Sequence, residues 1–371
     1  AQGNQDGNDI GDFYYTPPSG FLALCTSNLP AVAVVPSENF NSVIWTGTGS
    51  NQSITGVGFQ ADWLWIKGRS AAEFSTIHDA VRGADKSLAS EETNAEATTG
   101  SGRVASFDSD GFSLGSDTIS NYGSGTYVAW NWKANGSGSS NTNGSINTTK
   151  TSANVDAGFS MSTYTGNASA ATIGHGLSSA PEMVIVKNRS AAGDWWTWHT
   201  AISIAEYIRL NLTSAKGSSS TLWNNTAPTS SVFSLGNNAA NTNTETYIAY
   251  CFHSVDGYSK VGSYVSNGSA DGPFVNLGFR PAFVMGRFST IAASWVMTDN
   301  VRDTYNLSGK QILRPNLSNA EDTFAGGIDI TSNGFKVRST GSNGVFNANS
   351  AGLTFIYIAF AETPFKYSNA K

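Results

Sequence analysis

The clearest indication of the fold is the stretch Pro181-Glu-Met-Val-Ile-Val-Lys187, followed after a short gap by Trp195-Trp-Thr-Trp-His199. Similar stretches occur earlier, as Trp63-Leu-Trp-Ile-Lys67, and later, as Pro281-Ala-Phe-Val-Met-Gly-Arg287. The basic residues that end them stand 120 and 100 residues apart, which is the size of a domain and too long for a solenoid repeat or a propeller blade. The sequence therefore predicts three copies of one small β domain.

The earliest copy also predicts where its strand lies. Successive side chains of a strand point to opposite faces, so Trp63 and Trp65 share one face while Leu64 and Ile66 share the other. Both faces are apolar, which is typical of a strand buried between two layers. Turn signals recur about every 8–12 residues in the middle copy, a spacing that favours a two-sheet sandwich.

Composition agrees with an all-β chain. Among 371 residues, only 13% are charged and 12% are aromatic, and there are 39 Gly but only 10 Pro. Few Lys and Glu, with many Thr, Tyr, Phe, Val and Gly, disfavour helices and favour strands joined by turns. The net charge is -6 with Lys and Arg scattered singly, so we expect no nucleic-acid partner. No apolar run approaches the roughly 18 residues of a membrane span, so we expect no membrane insertion.

The two cysteines, Cys25 and Cys251, are far apart. One pair does not make a disulfide framework, and a free cysteine behaves as a small buried hydrophobe, so we expect both to be free and structural. No signal-peptide pattern is present and the chain begins at Ala1, so we expect the numbering to start within a longer gene product or after processing. We expect no cofactor, and leave Ca²⁺ open.

Composition shifts divide the chain into five parts. The stretch 136–157 is rich in Gly, Ser, Asn and Thr and predicts a linker, with a polar strand added to a sheet edge as the second interpretation. The predicted parts are an N-terminal arm with an orphan closing segment (1–40), repeat 1 (41–135), this linker (136–157), repeat 2 (158–257) and repeat 3 with a short tail (258–371).

Several of these motifs resemble known proteins. The segments are Tyr15-Thr-Pro-Pro-Ser-Gly-Phe-Leu-Ala-Leu-Cys-Thr-Ser-Asn-Leu-Pro30, Tyr127-Val-Ala-Trp-Asn-Trp-Lys-Ala-Asn-Gly136 and Tyr357-Ile-Ala-Phe-Ala-Glu-Thr-Pro-Phe365. They resemble bacteriophage virion structural and tail-fibre proteins with SPRY-like, concanavalin-type β-sandwich repeats, over roughly residues 13–366. The resemblance implies an all-β fold of three consecutive concanavalin/jelly-roll-like β-sandwich repeats. It also implies that 13–30 is a closing strand without its own domain, which packs on repeat 1 or on another chain.

Five residues are candidates for ligand binding. Lys67, Lys187 and Arg287 occupy the same position of the three copies, so they predict either a repeated contact to an anion or sugar acid, or strand-end cations that reach solvent or pair locally. Trp196 and Trp198 predict either an exposed surface that stacks sugar rings or an apolar layer against a neighbouring repeat or subunit.

Catalytic patterns are missing from the sequence. His78 and His199 are placed in equivalent positions by their Thr-x-His context, but repeat 3 has no such histidine, so we expect hydrogen-bonded structural histidines and no metal site. No Glu-x-Asp-x-x-Glu run and no nucleophile elbow or phosphate loop is present, so we expect no enzyme.

Together, these features predict a non-enzymatic virion structural protein on the particle surface, in a tail fibre, tail tip or capsid decoration, that adheres to bacterial glycan. Its partners are then other virion proteins and host glycan, and the resemblance favours a homo-oligomer, a trimer. Two alternatives stay open: a polysaccharide depolymerase on the same fold, and a purely architectural virion protein without a ligand.

Overall fold

The computed structural model describes residues 2–29, 32–306, 309–325, 327–338, 345–346, 348 and 350–364. Pro30, the Phe365 that closes the third copy of the motif, and the tail 366–371 lie outside the described residues. Within the described residues, helix is confined to one short α-helix, α1 (Thr118–Asn121), and to the 3-10 turns Thr26–Asn28 and Pro36–Glu38. The fold is all-β, as the sequence predicts, and no described helix has the length and apolarity to cross a membrane.

Repeat 1 consists of two antiparallel sheets. The larger has the strand order β1-β9-β3-β4-β5-β6 and the smaller β2-β8-β7. Its strands are β1 (Phe40–Thr46), β2 (Gln52–Thr55), β3 (Trp63–Gly68), β4 (Thr76–Asp79), β5 (Gly83–Leu88), β6 (Ala97–Thr98), β7 (Val104–Asp108), β8 (Gly111–Leu114) and β9 (Thr126–Trp132).

Repeat 2 has the same arrangement with a wider main sheet. Its strands are β10 (Ser139–Asn141), β11 (Thr148–Asn154), β12 (Phe159–Thr165), β13 (Ala171–Gly174), β14 (Met183–Asn188), β15 (Trp195–His199), β16 (Glu206–Arg209), β17 (Gly217–Ser218), β18 (Val232–Leu235) and β19 (Thr246–Phe252). The main sheet runs β10-β11-β12-β19-β14-β15-β16-β17, and β13 pairs with β18 in the smaller one.

Repeat 3 completes the series. Its strands are β20 (Ser259–Asn267), β21 (Phe274–Asn276), β22 (Phe279–Phe288), β23 (Val296–Asp299), β24 (Gly309–Ile312), β25 (Asp322–Ala325), β26 (Ile328–Thr331), β27 (Gly334–Val337) and β28 (Ala351–Pro364). The sheets are β20-β28-β22-β23, β21-β27-β26 and β24-β25. The order β1-β9-β3-β4 thus recurs as β12-β19-β14-β15 and as β20-β28-β22-β23.

The stretch 136–157 is not a linker. Its strand β11 pairs with β12 along five residues and β10 pairs with β11, so both widen the main sheet of repeat 2. Polar residues suit this place because Thr151 and Ser162 bond each other across the strands through their hydroxyl groups, 2.9 Å apart. The second interpretation, a polar strand added to an edge, is the one observed.

The N-terminal arm is organised by one carboxylate. Asp6 is buried and accepts hydrogen bonds from the backbone N–H of Ala23 (2.7 Å), Ile10 (3.1 Å) and Asn8 (2.9 Å), and from the Asn28 amide (2.7 Å). These bonds, above all the one from Ala23, lower the pKa of Asp6 to about 2. The arm therefore folds on itself, and large side chains of the closing segment are exposed instead of packing on repeat 1: Tyr14, Tyr15, Phe21, Leu22 and Leu24.

The strand β3 is buried on both faces, as the sequence predicts. Leu64 and Ile66 belong to the core of repeat 1, where they meet residues of the smaller sheet such as Phe112. Trp63 and Trp65 face away from that core and join a different cluster. A sandwich with one sheet that is apolar on both faces needs a second packing partner for its outer face.

That partner is the corresponding face of the other two repeats. We call this cluster the hub, and its members occupy matching positions on two strands of each main sheet, as the strand registers show. The hub consists of Trp63, Trp65, Trp130 and Trp132 from repeat 1, Met183, Ile185, Tyr250 and Phe252 from repeat 2, and Phe283, Met285, Ile358 and Phe360 from repeat 3.

Aromatic contacts join every pair of repeats across the hub. The ring centroids of Trp63 and Tyr250 are 4.8 Å apart, those of Trp130 and Phe283 are 5.6 Å apart, and those of Phe252 and Phe360 are 6.2 Å apart. Phe40, at the start of β1, stacks on Phe360 near the end of β28 at 5.0 Å. The three main sheets therefore surround one shared apolar centre.

Candidate functional site

The three basic residues of the repeated stretch are buried and hold the repeats together. We call a contact between two repeats a seam. Lys67 Nζ donates to the carbonyl oxygen of Leu317 in repeat 3 at 2.7 Å. Lys187 Nζ donates to the carbonyl oxygen of Thr93 in repeat 1 at 2.8 Å.

The third basic residue completes a cycle. Arg287 of repeat 3 donates to the carbonyl oxygens of Leu212 (2.8 Å), Thr213 (2.9 Å) and Ser214 (2.8 Å) in repeat 2. Repeat 1 thus supplies carbonyls to repeat 2, repeat 2 to repeat 3, and repeat 3 to repeat 1. All three cations are fully buried, so they do not reach solvent. Local pairing, the other part of the second expectation, is observed: Lys67 lies 3.4 Å from Glu91, and Lys187 donates to the Gly193 carbonyl oxygen at 2.7 Å.

Burial also explains how these cations titrate. It lowers the pKa of Lys187 to about 8, with Asp194 opposing the shift, and the pKa of Arg287 to about 10. It lowers the pKa of Lys67, although Glu91 opposes the shift from 3.4 Å. Lys187 and Arg287 therefore stay mainly protonated at pH 7. Carbonyl oxygens of two repeats accept hydrogen bonds from each of the three side chains.

A charge cluster strengthens the seam between repeats 1 and 2. Arg82 bonds Asp79 at 2.5 Å and Glu96 at 3.2 Å, and Arg189 of repeat 2 bonds Glu96 at 2.8 Å. The Tyr250 hydroxyl donates to Asp79 at 2.8 Å. Burial opposes ionisation of Glu96, but the hydrogen bond from Arg189 and the charge of Arg82 keep its pKa below its ordinary value. Two cations and two anions balance, so this buried cluster is neutral.

The seam between repeats 3 and 1 has the same cluster. Arg302 bonds Asp299 at 2.6 Å and Glu321 at 3.0 Å, while Arg69 of repeat 1 bonds Glu321 at 2.8 Å. The Trp130 indole N–H donates to Asp299 at 2.9 Å, in the place that the Tyr250 hydroxyl takes at the other seam. Part of this correspondence is visible in the sequence, since Asp79-Ala-Val-Arg82 recurs as Asp299-Asn-Val-Arg302. The bonds of Glu96 to Arg189 and of Glu321 to Arg69 are not visible there, because these partners come from different repeats.

The seam between repeats 2 and 3 has a histidine in place of the aspartate. His199 pairs with Met183 as Asp79 pairs with Trp63 and as Asp299 pairs with Phe283. Its Nδ1 accepts from the N–H of Ala201 at 3.0 Å, so its Nε2–H donates to the Tyr357 carbonyl at 3.2 Å. Burial lowers the pKa of His199 to about 4, so it is neutral at pH 7.

The proposed equivalence of His78 and His199 is therefore wrong by one residue. The counterpart of His78 is Trp198, which pairs with Val184 as His78 pairs with Leu64. The expectation of hydrogen-bonded structural histidines is confirmed, since His78, His175, His199 and His253 each have a ring nitrogen within 3.2 Å of a backbone carbonyl oxygen. Across the described part of the chain, no group of three or more His, Cys, Asp or Glu is arranged to hold a metal ion.

The two tryptophans do not form an exposed platform. Trp198 is 7% exposed and lies on the face of β15 that Val184 shares, towards the interior of repeat 2. Trp196 is half-buried, with its ring 5.0 Å from that of Tyr207 and 5.6 Å from the Arg209 guanidinium. The structure therefore places Trp198 in the core of its own repeat, and neither the stacking surface nor the layer between repeats describes it.

Both cysteines are free, as predicted, but only Cys251 is buried. Burial raises the pKa of the Cys251 thiol well above its usual range, which makes it inert. Cys25 is exposed on the N-terminal arm, contrary to the expectation of a structural position.

Within the described residues, two cavities of more than 200 Å³ open at the surface. One, of about 500 Å³, lies where the turn before β1 meets the segments that follow β9 and β11, and polar groups line most of it, among them Glu38, Lys133 and Asp156. The other, of about 270 Å³, lies in repeat 1 beside Glu73 and Tyr122. The second combines an aromatic ring and a carboxylate in one concave site, which makes it the better candidate for binding a small ligand.

Residues 35–364 match the family described as Domain of unknown function (DUF7483). No match was found among curated proteins or among solved structures. The matched region contains all strands from β1 to β28, and so it includes the hub and the three seams. The chain therefore belongs to the family of Domain of unknown function (DUF7483).

Proposed function

We propose that this chain is a non-enzymatic structural protein of a bacteriophage particle, in a tail fibre, tail tip or capsid decoration, and that it attaches to glycan on the bacterial surface. The motifs that resemble virion proteins support the first half of the proposal. The observation that carries it is the use of the buried charges: Lys67, Lys187 and Arg287 all bond carbonyl groups across seams. Charges placed in this way stiffen a scaffold, whereas catalytic groups sit in clefts where substrate reaches them.

Attachment needs an accessible site as well as a stiff scaffold. The cavity beside Glu73 and Tyr122 supplies one on the surface of repeat 1. Single contacts of this size are weak, but many copies on one particle raise the effective concentration and give avidity.

The test uses the whole chain, labelled with a fluorophore, on a panel of bacteria and on a glycan array. We expect saturable binding that is lost after periodate oxidation of the cell-surface glycan. Reducing sugar is measured in the same samples. Its release would show that the chain is a depolymerase and not an adhesive protein. Binding that survives periodate, or no binding across the panel and the array, would contradict the adhesive role.

A purely architectural role is the second candidate, and one observation favours it. Trp198 and the three seam cations, which the sequence offered as ligand-binding residues, are buried. In that case the chain binds no glycan but is found in the particle. This role would be supported if antibodies against the chain label intact particles while the chain binds no glycan on the array.

A further inference from the structure

The cavity of repeat 1 lies between the loop that joins β3 to β4 and the loop that joins α1 to β9. Its volume is about 270 Å³, just below the roughly 300–1,000 Å³ of pockets for drug-sized ligands, so it suits a single ring. The residues that decide its shape and chemistry are Gly68, Ser70, Glu73, Tyr122, Gly125 and Tyr127.

Repeat 2 shows how the same place looks when it is filled. Strand register makes Asn188 the counterpart of Gly68, because Asn188 pairs with Tyr247 as Gly68 pairs with Tyr127. Two residues before Tyr247, Glu245 is the counterpart of Gly125. The Asn188 amide donates to the Glu245 carboxylate, and the Tyr247 hydroxyl donates to the same carboxylate at 3.0 Å.

Repeat 3 fills the place differently. Phe288 takes the position of Gly68, pairs with Phe355 and is fully buried. Leu353 stands at the position of Gly125 and packs against the core of repeat 3. Only repeat 1 has glycine at both positions, so the cavity exists because two side chains that fill the other repeats are missing there.

The side chains that remain carry the chemistry of a sugar site. Tyr122 is 58% exposed at the rim, and an aromatic ring with a polar tip stacks on the C–H face of a sugar. Glu73 is half-buried, and within the described residues no hydrogen bond or ion pair engages its carboxylate. Its charge helps raise the pKa of Tyr127, after the larger effect of burial.

The hydroxyl groups of the cavity favour a ligand with several hydroxyl groups over an ammonium ion. A lone ammonium ion would be satisfied by Glu73 and an aromatic ring alone. Ser70, Ser124 and Thr126 also line this cavity, and a hydroxyl both donates and accepts, which suits a partner with several hydroxyl groups.

We propose that this cavity binds one neutral sugar ring and discriminates against acidic sugars. The inference rests on the proposed glycan attachment and names its site and ligand class. Glu73 accepts hydrogen bonds from neighbouring sugar hydroxyls, and the C–H face of the sugar ring stacks on Tyr122. A uronic acid brings a second carboxylate towards Glu73, so like-charge repulsion excludes it.

The decisive variant is Gly68→Asn with Gly125→Glu, which copies the filled arrangement of repeat 2. A Cβ at Gly68 has its nearest neighbour, Glu73 Cβ, at 3.2 Å, and a Cβ at Gly125 comes within 2.9 Å of the Tyr127 hydroxyl, which must shift. The equivalent Tyr247 hydroxyl accommodates Glu245 and keeps the two backbone hydrogen bonds that Tyr127 makes in repeat 1. Neither glycine has a positive φ, so the backbone accepts a side chain. Circular dichroism and the urea midpoint verify that the variant folds.

Ligand binding is measured by saturation-transfer NMR and by titration with methyl glucoside, methyl galactoside, N-acetylglucosamine, glucuronate and butylamine. We expect one or more of the neutral sugars to bind with a Kd on the order of millimolar and glucuronate at least about tenfold more weakly. The filled variant loses this binding. Glu73→Gln weakens the neutral sugar and removes the discrimination against glucuronate.

The matched control is Asn188→Gly with Glu245→Gly, which opens the same cavity in repeat 2. There the counterparts of Glu73 and Tyr122 are Gly193 and Thr242, so we expect no second site. Neutral-sugar binding that persists in the filled variant, preference for glucuronate or butylamine, or no binding of any probe would overturn the proposal. Cell binding by the folded filled variant, equal to that of the wild-type chain, would refute this cavity while glycan attachment itself stands.

Discussion

Arg287 uses every guanidinium nitrogen on a protein carbonyl. Its Nε donates to Phe288 at 3.0 Å, and its two terminal nitrogens donate to three successive carbonyls of repeat 2. Truncation would remove a buried charge and take this donor from the Leu212 and Ser214 carbonyls, whereas the Thr213 carbonyl keeps a hydrogen bond from the Ala293 N–H at 2.8 Å. Unpaired buried acceptors each carry a desolvation penalty, so this position should dominate its seam.

We therefore expect Arg287→Ala to lower the free energy of unfolding by roughly 3–5 kcal/mol. Arg287→Lys should recover part of the loss, because lysine fills the same position in the other two repeats. Urea unfolding followed by fluorescence measures both. Arg338→Ala is the control, since its half-exposed ion pairs with Asp271 and Asp329 should contribute about 1 kcal/mol at most. Equal losses for Arg287→Ala and Arg338→Ala would contradict this account of the seam.

The buried histidines predict the response to acid. Burial lowers the pKa of His199 and of His175 to about 4 and that of His78 to about 3, below the ordinary 6.5. The unfolded chain therefore binds more protons than the folded chain between pH 6.5 and pH 4. Stability is full above pH 6.5 and falls as pH drops towards 4, by up to about 3 kcal/mol for His199.

Urea midpoints from pH 7 to pH 4 measure this slope. His199→Gln keeps an N–H donor for the Tyr357 carbonyl but takes up no proton, so it should lose less stability on acidification. It replaces the imidazole whose Nδ1 accepts from the Ala201 N–H, so it should be less stable at pH 7. An unchanged slope in this variant would show that His199 contributes nothing to the acid response.

Among the elements, β10 and β11 are strands whose polar sequence lacks the usual strand pattern. Alternation of apolar and polar residues is the usual sign of a strand, and 136–157 lacks it because hydroxyl pairs such as Thr151 and Ser162 replace apolar packing. Burial then comes from neighbouring elements: Ser152 is fully buried and accepts from the N–H of Asn135 at 2.8 Å.

Proline distinguishes a strand from a linker. We expect Ser152→Pro to cost roughly 2–4 kcal/mol, because β11 lies inside the sheet and proline removes a ladder hydrogen bond. Ser140→Pro, on the edge strand β10, should cost less than about 1 kcal/mol. A neutral Ser152→Pro in thermal unfolding would mean that 136–157 acts as a linker in solution.

The sequence predicted elements better than it predicted their partners. The two apolar faces of β3 correctly implied two layers, because that information lies within five residues. The seam contacts could not be predicted, since Lys67 and its acceptor Leu317 are 250 residues apart. The register error at His199 could have been avoided: Asp79, His199 and Asp299 each follow their basic residue by twelve positions, and a slip of one residue exchanges the faces of a strand.

At the scale of the whole molecule, the hub makes the repeats depend on one another. A repeat alone would expose its hub side chains, four of which in repeat 1 are tryptophans. Each large aromatic side chain buries about 150–250 Å², so an isolated repeat would present a continuous apolar face to water. Such a face favours aggregation, which the other two repeats prevent.

We therefore expect Trp63→Ala to lower the free energy of unfolding by roughly 3–5 kcal/mol and to act beyond its own repeat. Hydrogen exchange should accelerate in β19 and β28 as well as in β3. Trp196→Ala, at the half-buried rim of repeat 2, is the control and should leave β3 and β28 protected. Acceleration confined to repeat 1 after Trp63→Ala would show that the repeats unfold independently.

The stacking of Phe40 on Phe360 has a topological consequence. It places the first strand of repeat 1 beside the last strand of repeat 3. Repeats 1 and 2 and repeats 2 and 3 follow each other directly along the chain, whereas repeats 3 and 1 are neighbours in space without a direct covalent connection. A circular permutant that joins these ends through a short peptide and begins instead at Gly257, between repeats 2 and 3, retains every hub residue and every seam. Such a permutant should fold to the same structure. The position of the chain break should matter less than the presence of all three repeats around the hub.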